Sequence, residues 1–181
     1  MFKKTKNRNG FAALMLCLTV IFASFPLVCC SGVMQGKAVP TPPVINTAIA
    51  GEFSVEYNGE KFKCSISNQT SGIITMTYTK PEDIAGLTYT LADGQISTTY
   101  RGLKVIMPSA TLPKTAVAQC LFNALGALKQ NPQPENTKAG EDEFVFVQNS
   151  DSGRFNLTAN SSGNIVKIEF ADVPLVFERE Q

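Results

Sequence analysis

From residue 52 onward, apolar and polar positions alternate with a period of two, the pattern of β-strands that bury one face. Phe53, Val55 and Tyr57 alternate with polar residues, and the turn dipeptide Asn58-Gly59 follows them, which predicts a hairpin. Pro174 places the last strand at a sheet edge, because proline lacks the N–H that a central strand needs. The nine or ten predicted strands lie near residues 53–57, 62–66, 74–78, 87–91, 96–100, 103–107, 144–148, 155–159, 166–170 and 173–177.

One segment has helical spacing instead, and it predicts a helix near 113–130. Thr111 is the expected N-cap, with Pro113 in the first turn, and Pro132 follows the end of the helix. A polar loop is expected over 132–142. The apolar stripe of the helix comprises Val117, Leu121, Leu125 and Leu128, widened by Ala118 and Phe122.

Short turns between strands and a single helix predict an α+β, mostly β fold, in which a curved antiparallel sheet wraps around the helix like a half-barrel. The outward positions are polar, so one sheet face is expected to be wet. Most aromatic residues point inward, where they either fill a core or line an apolar ligand cavity. The candidate lining residues are Phe53, Phe62, Tyr78, Tyr89, Phe144, Phe146, Phe155 and Phe170.

The first thirty residues resemble an export signal. Four Lys and Arg residues precede an apolar run over residues 10–28, and no acid occurs before Glu52. The run is long enough to span a bilayer, so an uncleaved membrane helix is the alternative. Residues 27–32, Leu-Val-Cys-Cys-Ser-Gly, resemble the bacterial lipobox, which implies cleavage before Cys30 and lipidation of that cysteine. Cys30 fits better than Cys29, because it places Leu27 at position −3.

The expected organisation is a signal peptide over 1–29, a lipid-anchored flexible tether over 30–50 and a β domain over 51–181. Three prolines and two glycines in the tether indicate extended chain. Because Lys and Arg stay on the cytoplasmic side, the domain is expected outside the cell membrane, attached to it through the acyl anchor. The signal takes four positive charges with it, which leaves a mildly acidic domain.

Composition argues against catalysis, cofactors and nucleic-acid binding. The full chain has a net charge of +1, no His and no Trp, so it lacks a basic field for nucleic acid, the usual general base and the commonest metal ligand. Paired carboxylates at 82–83 and 141–143 fit solvated turns better than a catalytic pair or a Ca²⁺ site. No phosphate-binding glycine loop or CxxC motif occurs. We expect no catalytic residues, metal or cofactor.

Cys64 and Cys120 are the cysteines that follow the lipobox. An extracytoplasmic compartment permits a disulfide between them, and this bridge would pin the helix to the sheet. Two buried free thiols that pack as small apolar side chains are the alternative.

A tethered, curved antiparallel sheet with a helix inside resembles the LolA-like superfamily of periplasmic lipoprotein carriers and mycobacterial lipoproteins. The resemblance covers roughly residues 52–178 and depends on a strand running into a proline, 75–81, and a late Gly-x-x-x-x-Ile strand, 163–170, followed by 173–177. It implies a concave apolar face that binds lipid or acyl chains. No binding residue transfers by motif.

The leading hypothesis is an envelope lipoprotein that binds or carries a lipid or another apolar ligand without chemistry. The rival is a solid-cored module that presents its wet sheet face, or the loop over 131–142, to an envelope protein partner. An enzyme ranks third. The first two hypotheses differ in whether the space between sheet and helix is hollow or filled.

Overall fold

The structure, a computed structural model, describes residues 41–139 and 142–180. The expected signal peptide, Cys30 and most of the expected tether lie outside these residues. The described part contains eleven strands, one α-helix and a single turn of 3₁₀ helix at Ser109–Thr111. The elements are β1 Ala50–Tyr57, β2 Glu60–Ser67, β3 Ile74–Lys80, β4 Thr88–Ala92, β5 Gln95–Tyr100, β6 Leu103–Pro108, α1 Val117–Gln130, β7 Glu135–Ala139, β8 Glu143–Ser150, β9 Gly153–Asn160, β10 Ile165–Phe170 and β11 Leu175–Arg179.

All eleven strands belong to one open antiparallel sheet with the order β6-β5-β4-β3-β2-β1-β11-β10-β9-β8-β7. The sheet therefore consists of two meanders, β1–β6 and β7–β11, which the pairing of β1 with β11 joins. The predicted class is confirmed: the fold is mostly β, with one curved antiparallel sheet and one helix. The strand number exceeds the expected nine or ten by β7, which lies within the segment predicted as a polar loop.

The core lies between α1 and the inner face of the sheet, and the alternation that predicted the strands also decides which residues enter it. In β1, Phe53 and Val55 are buried, and their neighbours are more exposed. The buried residues of α1 include Leu121, Leu125 and Leu128 from the predicted stripe. Strand and helix residues together form one continuous apolar cluster.

The predicted start of the helix and the predicted position of the last strand in the sheet were both wrong. The helix begins at Val117 and its N-cap is Ala116, whereas Thr111 belongs to the 3₁₀ turn and caps nothing. The last strand is central, because β11 pairs with both β1 and β10. Pro174 precedes the strand, so its missing N–H removes no hydrogen bond from the sheet.

The ordered domain begins before the expected boundary at residue 51. Ile45 and Ile49 are buried in the core, although both lie in the segment expected to be a flexible tether. Asn46 forms an isolated parallel bridge with Asn164, and its N–H donates to the carbonyl of Gly163 at 2.8 Å. These contacts fix the chain against the β9–β10 turn before the first strand begins.

Candidate functional site

The eight aromatic residues predicted to line a cavity lie on the inner side of the sheet, and they pack in the apolar cluster. Six of them are buried, whereas Phe62 and Tyr89 are half-buried. Phe155 and Phe170 pack against each other with ring centroids 5.7 Å apart. This arrangement agrees with the alternative that the sequence left open, in which the aromatic residues form a solid core.

Three of these rings form a row that leads from β2 to β4. The centroids of Phe62 and Tyr78 are 6.0 Å apart, and those of Tyr78 and Tyr89 are 6.4 Å apart, both pairs edge to face. Burial raises the pKa of both tyrosines above its ordinary value, and the neighbouring Tyr89 and Cys64 add smaller contributions at Tyr78. The phenols therefore stay neutral at any physiological pH and act as apolar packing groups.

An open cleft of about 450 Å³ lies between β4, α1 and the β8–β9 turn. Its apolar wall includes Leu91 and Phe122, and Gly126 leaves open space beside them, because a Cβ built there meets no atom within 4 Å apart from its chain neighbours and the adjacent helix backbone. Its polar lining includes Asn123 and Asp151. The lining residues are Leu91, Phe122, Asn123, Gly126, Ala127, Gln130, Asn149, Ser150 and Asp151.

Strand register and helical spacing bring these residues together. Leu91 pairs with the buried Ile96, which places it on the inner face of β4. Phe122 and Gly126 are four residues apart and therefore share one face of α1. Asn123 directly follows Phe122 in the helix, so it borders the same face.

A chain of hydrogen bonds fixes the polar side of the cleft. The Gln119 amide nitrogen donates to Asn123 Oδ1 at 3.0 Å, and Asn123 Nδ2 donates to Ser152 Oγ at 2.8 Å. Ser152 Oγ in turn donates to the carbonyl of Lys114 at 2.6 Å. Because both polar ends of Asn123 are engaged, its orientation at the cleft is set before any ligand arrives.

Cys64 and Cys120 are both buried and both free. The bridge considered from the sequence is therefore not formed, and the thiols follow the alternative. Desolvation raises the pKa of Cys64 to about 12, with a smaller contribution from Glu52. Burial also raises the pKa of Cys120, whose Sγ donates to the carbonyl of Lys114 at 3.3 Å. Both thiols are therefore in the neutral form at neutral pH.

The outer face of β8–β11 holds a shallow groove of about 720 Å³. Asp142 and Glu143, from the acidic run that the sequence analysis noted, lie there with Glu169, Glu178 and Glu180. Glu169 pairs with Lys167 at 3.0 Å, and Glu180 pairs with Lys63 at 2.5 Å.

The described residues contain no cluster of His, Cys, Asp or Glu suited to a metal ion. Within the same residues, no helix has the length and hydropathy to cross a membrane. The candidate lipidation site, Cys30, lies outside them.

Sequence reasoning missed the α1–β4 cleft. Its lining comes from β4, α1 and the β8–β9 turn, which are far apart in sequence. Its polar residues look like ordinary helix-surface and turn residues when each is taken alone. The accessible signal was Gly126, a glycine in the middle of a helix, where it costs stability relative to alanine.

No protein-family model matches the chain, and no curated protein matches its sequence. Two solved structures resemble the fold at low identity. An uncharacterized conserved protein from Thermus thermophilus has a TM-score of 0.40 at 9% identity, over 72% of this chain and 77% of that one. A LolA superfamily protein from Nitrosomonas europaea has a TM-score of 0.35 at 10% identity, over 73% and 69%. Similarity at this level does not assign this chain to either protein's family.

Proposed function

We propose that this protein is an extracytoplasmic lipoprotein whose β domain binds an apolar or amphipathic ligand, such as a lipid, without chemistry. The α1–β4 cleft is the proposed binding site. Its volume of about 450 Å³ falls within the roughly 300–1,000 Å³ range of small-molecule sites. The observation that carries the proposal is the division of this cleft into an apolar wall and a fixed polar rim.

The lining of the cleft indicates the chemistry of its ligand. Leu91 and Phe122 offer contact to a hydrocarbon chain, whereas Asn123, Gln130 and Asn149 offer amide groups to a polar head. Asp151 is the charged residue in the lining, so the head group is expected to be uncharged or cationic. Phe122 belongs to the buried core and also lines the cleft, whereas the eight aromatic residues predicted from the sequence do not line it.

Native mass spectrometry of the full chain, released from detergent micelles in the gas phase, tests the proposal. We expect a second mass series above that of the acylated chain, separated by the mass of one lipid-sized molecule. Chains that carry only the mass of the covalent anchor, from cells with normal lipid content, would contradict ligand binding.

Attachment to the membrane through Cys30 is the second part of the proposal, and residues 27–32 carry it. Radiolabelled palmitate should label the wild-type chain and should not label the Cys30→Ala variant. Cys29→Ala is the matched control, because it changes the neighbouring cysteine to another small residue and should keep the label. An unlabelled wild type, or undiminished labelling of Cys30→Ala, would contradict lipidation at this residue.

A solid-cored interaction module remains the second candidate, and the packing of the aromatic residues in the core favours it. Gln133 is exposed within the loop first considered for a protein partner. A photo-crosslinking residue at position 133 should then capture one defined envelope protein in intact cells. The ligand hypothesis instead predicts no single crosslinked partner.

A further inference from the structure

Strand β6, at the end of the sheet, is unusually apolar for an exposed edge. Leu103, Val105 and Ile106 expose 74%, 54% and 58% of their surface, and they are among the most exposed large apolar residues that the structure describes. Soluble proteins usually protect such edges with charge, because an exposed apolar edge promotes association. The opposite edge, β7, has the polar sequence Glu-Asn-Thr-Lys-Ala.

The apolar residues of β6 lie on both faces of the sheet. Met107 pairs with the buried Ile96, which places Met107 on the inner face. Side chains alternate along a strand, so Leu103 and Val105, four and two residues before Met107, lie on the same face. Ile106 and Lys104 therefore lie on the outer face. A lipid bilayer can surround both faces of such an edge, whereas a protein partner would cover one face.

The same hairpin is basic, although the domain as a whole is mildly acidic. Arg101 lies in the β5–β6 turn and Lys104 in β6, and no Asp or Glu occurs from residue 94 to residue 134. The Arg101 guanidinium carbon lies 4.9 Å from the centroid of the Tyr100 ring. The neighbouring β3–β4 turn contributes Asp83, whose main-chain carbonyl accepts a hydrogen bond from the Tyr100 hydroxyl.

We propose that the β5–β6 hairpin docks on the surface of an anionic lipid bilayer. Arg101 and Lys104 meet the negative head groups, and Leu103, Val105 and Ile106 enter the interface between head groups and acyl chains. Head-group oxygens and water at this depth hydrogen-bond the edge N–H groups, which the hydrocarbon core could not do. This docking requires neither a ligand in the cleft nor a lipid on Cys30.

Two observations favour a membrane over another protein strand at this edge. Lys104 lies in the middle of β6, where a charged side chain opposes strand addition. A second copy of β6 would also bring a second Arg101 and Lys104 to the interface without any acid on that strand. An anionic surface satisfies both charges.

The absence of Trp from the chain makes a site-specific test available. Val105→Trp places a single fluorophore on the hairpin, and Lys61→Trp, at an exposed position of β2, is the matched control. Each full-chain variant is added to vesicles with brominated acyl chains, composed either of equal parts phosphatidylglycerol and phosphatidylcholine or of phosphatidylcholine alone. Leu103→Trp repeats the measurement if Val105→Trp alters the circular dichroism spectrum.

We expect a blue shift and quenching of the hairpin fluorophore with the phosphatidylglycerol vesicles, and neither change for the control. Combining Val105→Trp with Arg101→Gln and Lys104→Gln should weaken this binding by about tenfold to thirtyfold. Equal quenching at both positions, equal quenching by the two vesicle types, or no quenching of the hairpin fluorophore would overturn the proposal. A concentration-dependent blue shift without vesicles would indicate pairing with a second copy, and would overturn it as well.

Discussion

Asn68 and Ile49 are joined by a reciprocal pair of hydrogen bonds that holds the N-terminal segment against the sheet. The N–H of Asn68 donates to the carbonyl of Ile49 at 2.9 Å, and the N–H of Ile49 donates to Asn68 Oδ1. The side-chain nitrogen of Asn68 also donates to the carbonyl of Thr47 at 2.7 Å. A single buried amide thus satisfies both a donor and an acceptor of the incoming chain.

Asn68→Ala should destabilise the domain by about 1–3 kcal/mol, because it leaves the buried N–H of Ile49 and the partly buried carbonyl of Thr47 without their partner. Urea denaturation followed by circular dichroism measures this loss. Gln69→Ala, at the exposed neighbouring position, is the control and should change the free energy of unfolding little. Equal stability of the two variants would show that the amide does not hold the segment.

Gly163→Ala should destabilise the domain more than an ordinary turn substitution does. Gly163 has a φ of 78°, and a Cβ there would overlap the carbonyl oxygen of Val44. Gly72→Ala is the matched control, because Gly72 has a φ of 75° with open space around it. Backbone strain of about 1–2 kcal/mol is common to both variants, so the thermal unfolding of Gly163→Ala should lie lower by the cost of the clash. Coinciding transitions would contradict this.

Gly126→Leu should abolish ligand binding while leaving the domain folded. The added side chain enters the open space of the cleft beside Phe122, where a ligand chain would lie. Lys129→Leu adds a leucine at an exposed position of α1 outside the cleft and should bind normally. Native mass spectrometry of both variants measures the bound mass. A ligand retained by Gly126→Leu would place the binding site elsewhere.

Stability should fall in alkaline solution because of Cys64 and Tyr78. Burial raises the pKa of both groups, that of Cys64 from 9.0 to about 12, so folding favours their neutral forms. This stabilisation is complete below pH 9 and is lost as the pH rises through the folded-state pKa values, by up to about 1.4 kcal/mol per pH unit for each group.

Urea denaturation at about pH 8 and about pH 11 measures this loss, since the window between the unfolded and folded pKa values lies there. Tyr78→Phe removes one of the two groups and should flatten the dependence. A free energy of unfolding that is constant up to pH 11 would show that these side chains are not buried.

Much of the fold could be predicted from residue patterns because burial follows periodicity. Alternation placed Phe53 and Val55 in the core, and helical spacing placed Leu121 and Leu125 there. The central position of β11 could not be predicted, because Pro174 lies just before the strand. A proline inside the strand would have excluded a central position, whereas a proline one residue earlier does not. Strand β7 was missed because its polar residues enter the sheet through main-chain pairing, which leaves no apolar pattern.

The candidate site was less predictable than the fold. Aromatic residues such as Phe155 were expected either to line a ligand cavity or to fill the core. Both roles place the side chain on the inner face, so the alternation along the strand does not distinguish them. The cleft depends on how far α1 covers the sheet, and this depends on side-chain volumes summed over several elements. The same holds for Ile45 and Ile49, because the segment that carries them is held by hydrogen bonds to Asn68 and Gly163, which are distant in sequence.

The pairing of β1 with β11 also sets the order in which the chain can finish folding. Arg179 donates a hydrogen bond to the carbonyl of Ala50, 129 residues away in sequence. When the chain leaves a ribosome or an export channel N-terminus first, the meander of β1–β6 emerges well before β11, the strand that pairs with β1. Strand β1 must then wait with an open edge until the last strand emerges, and such non-local pairing is slow to form. During that interval the unpaired edge of β1 is open to association with other chains.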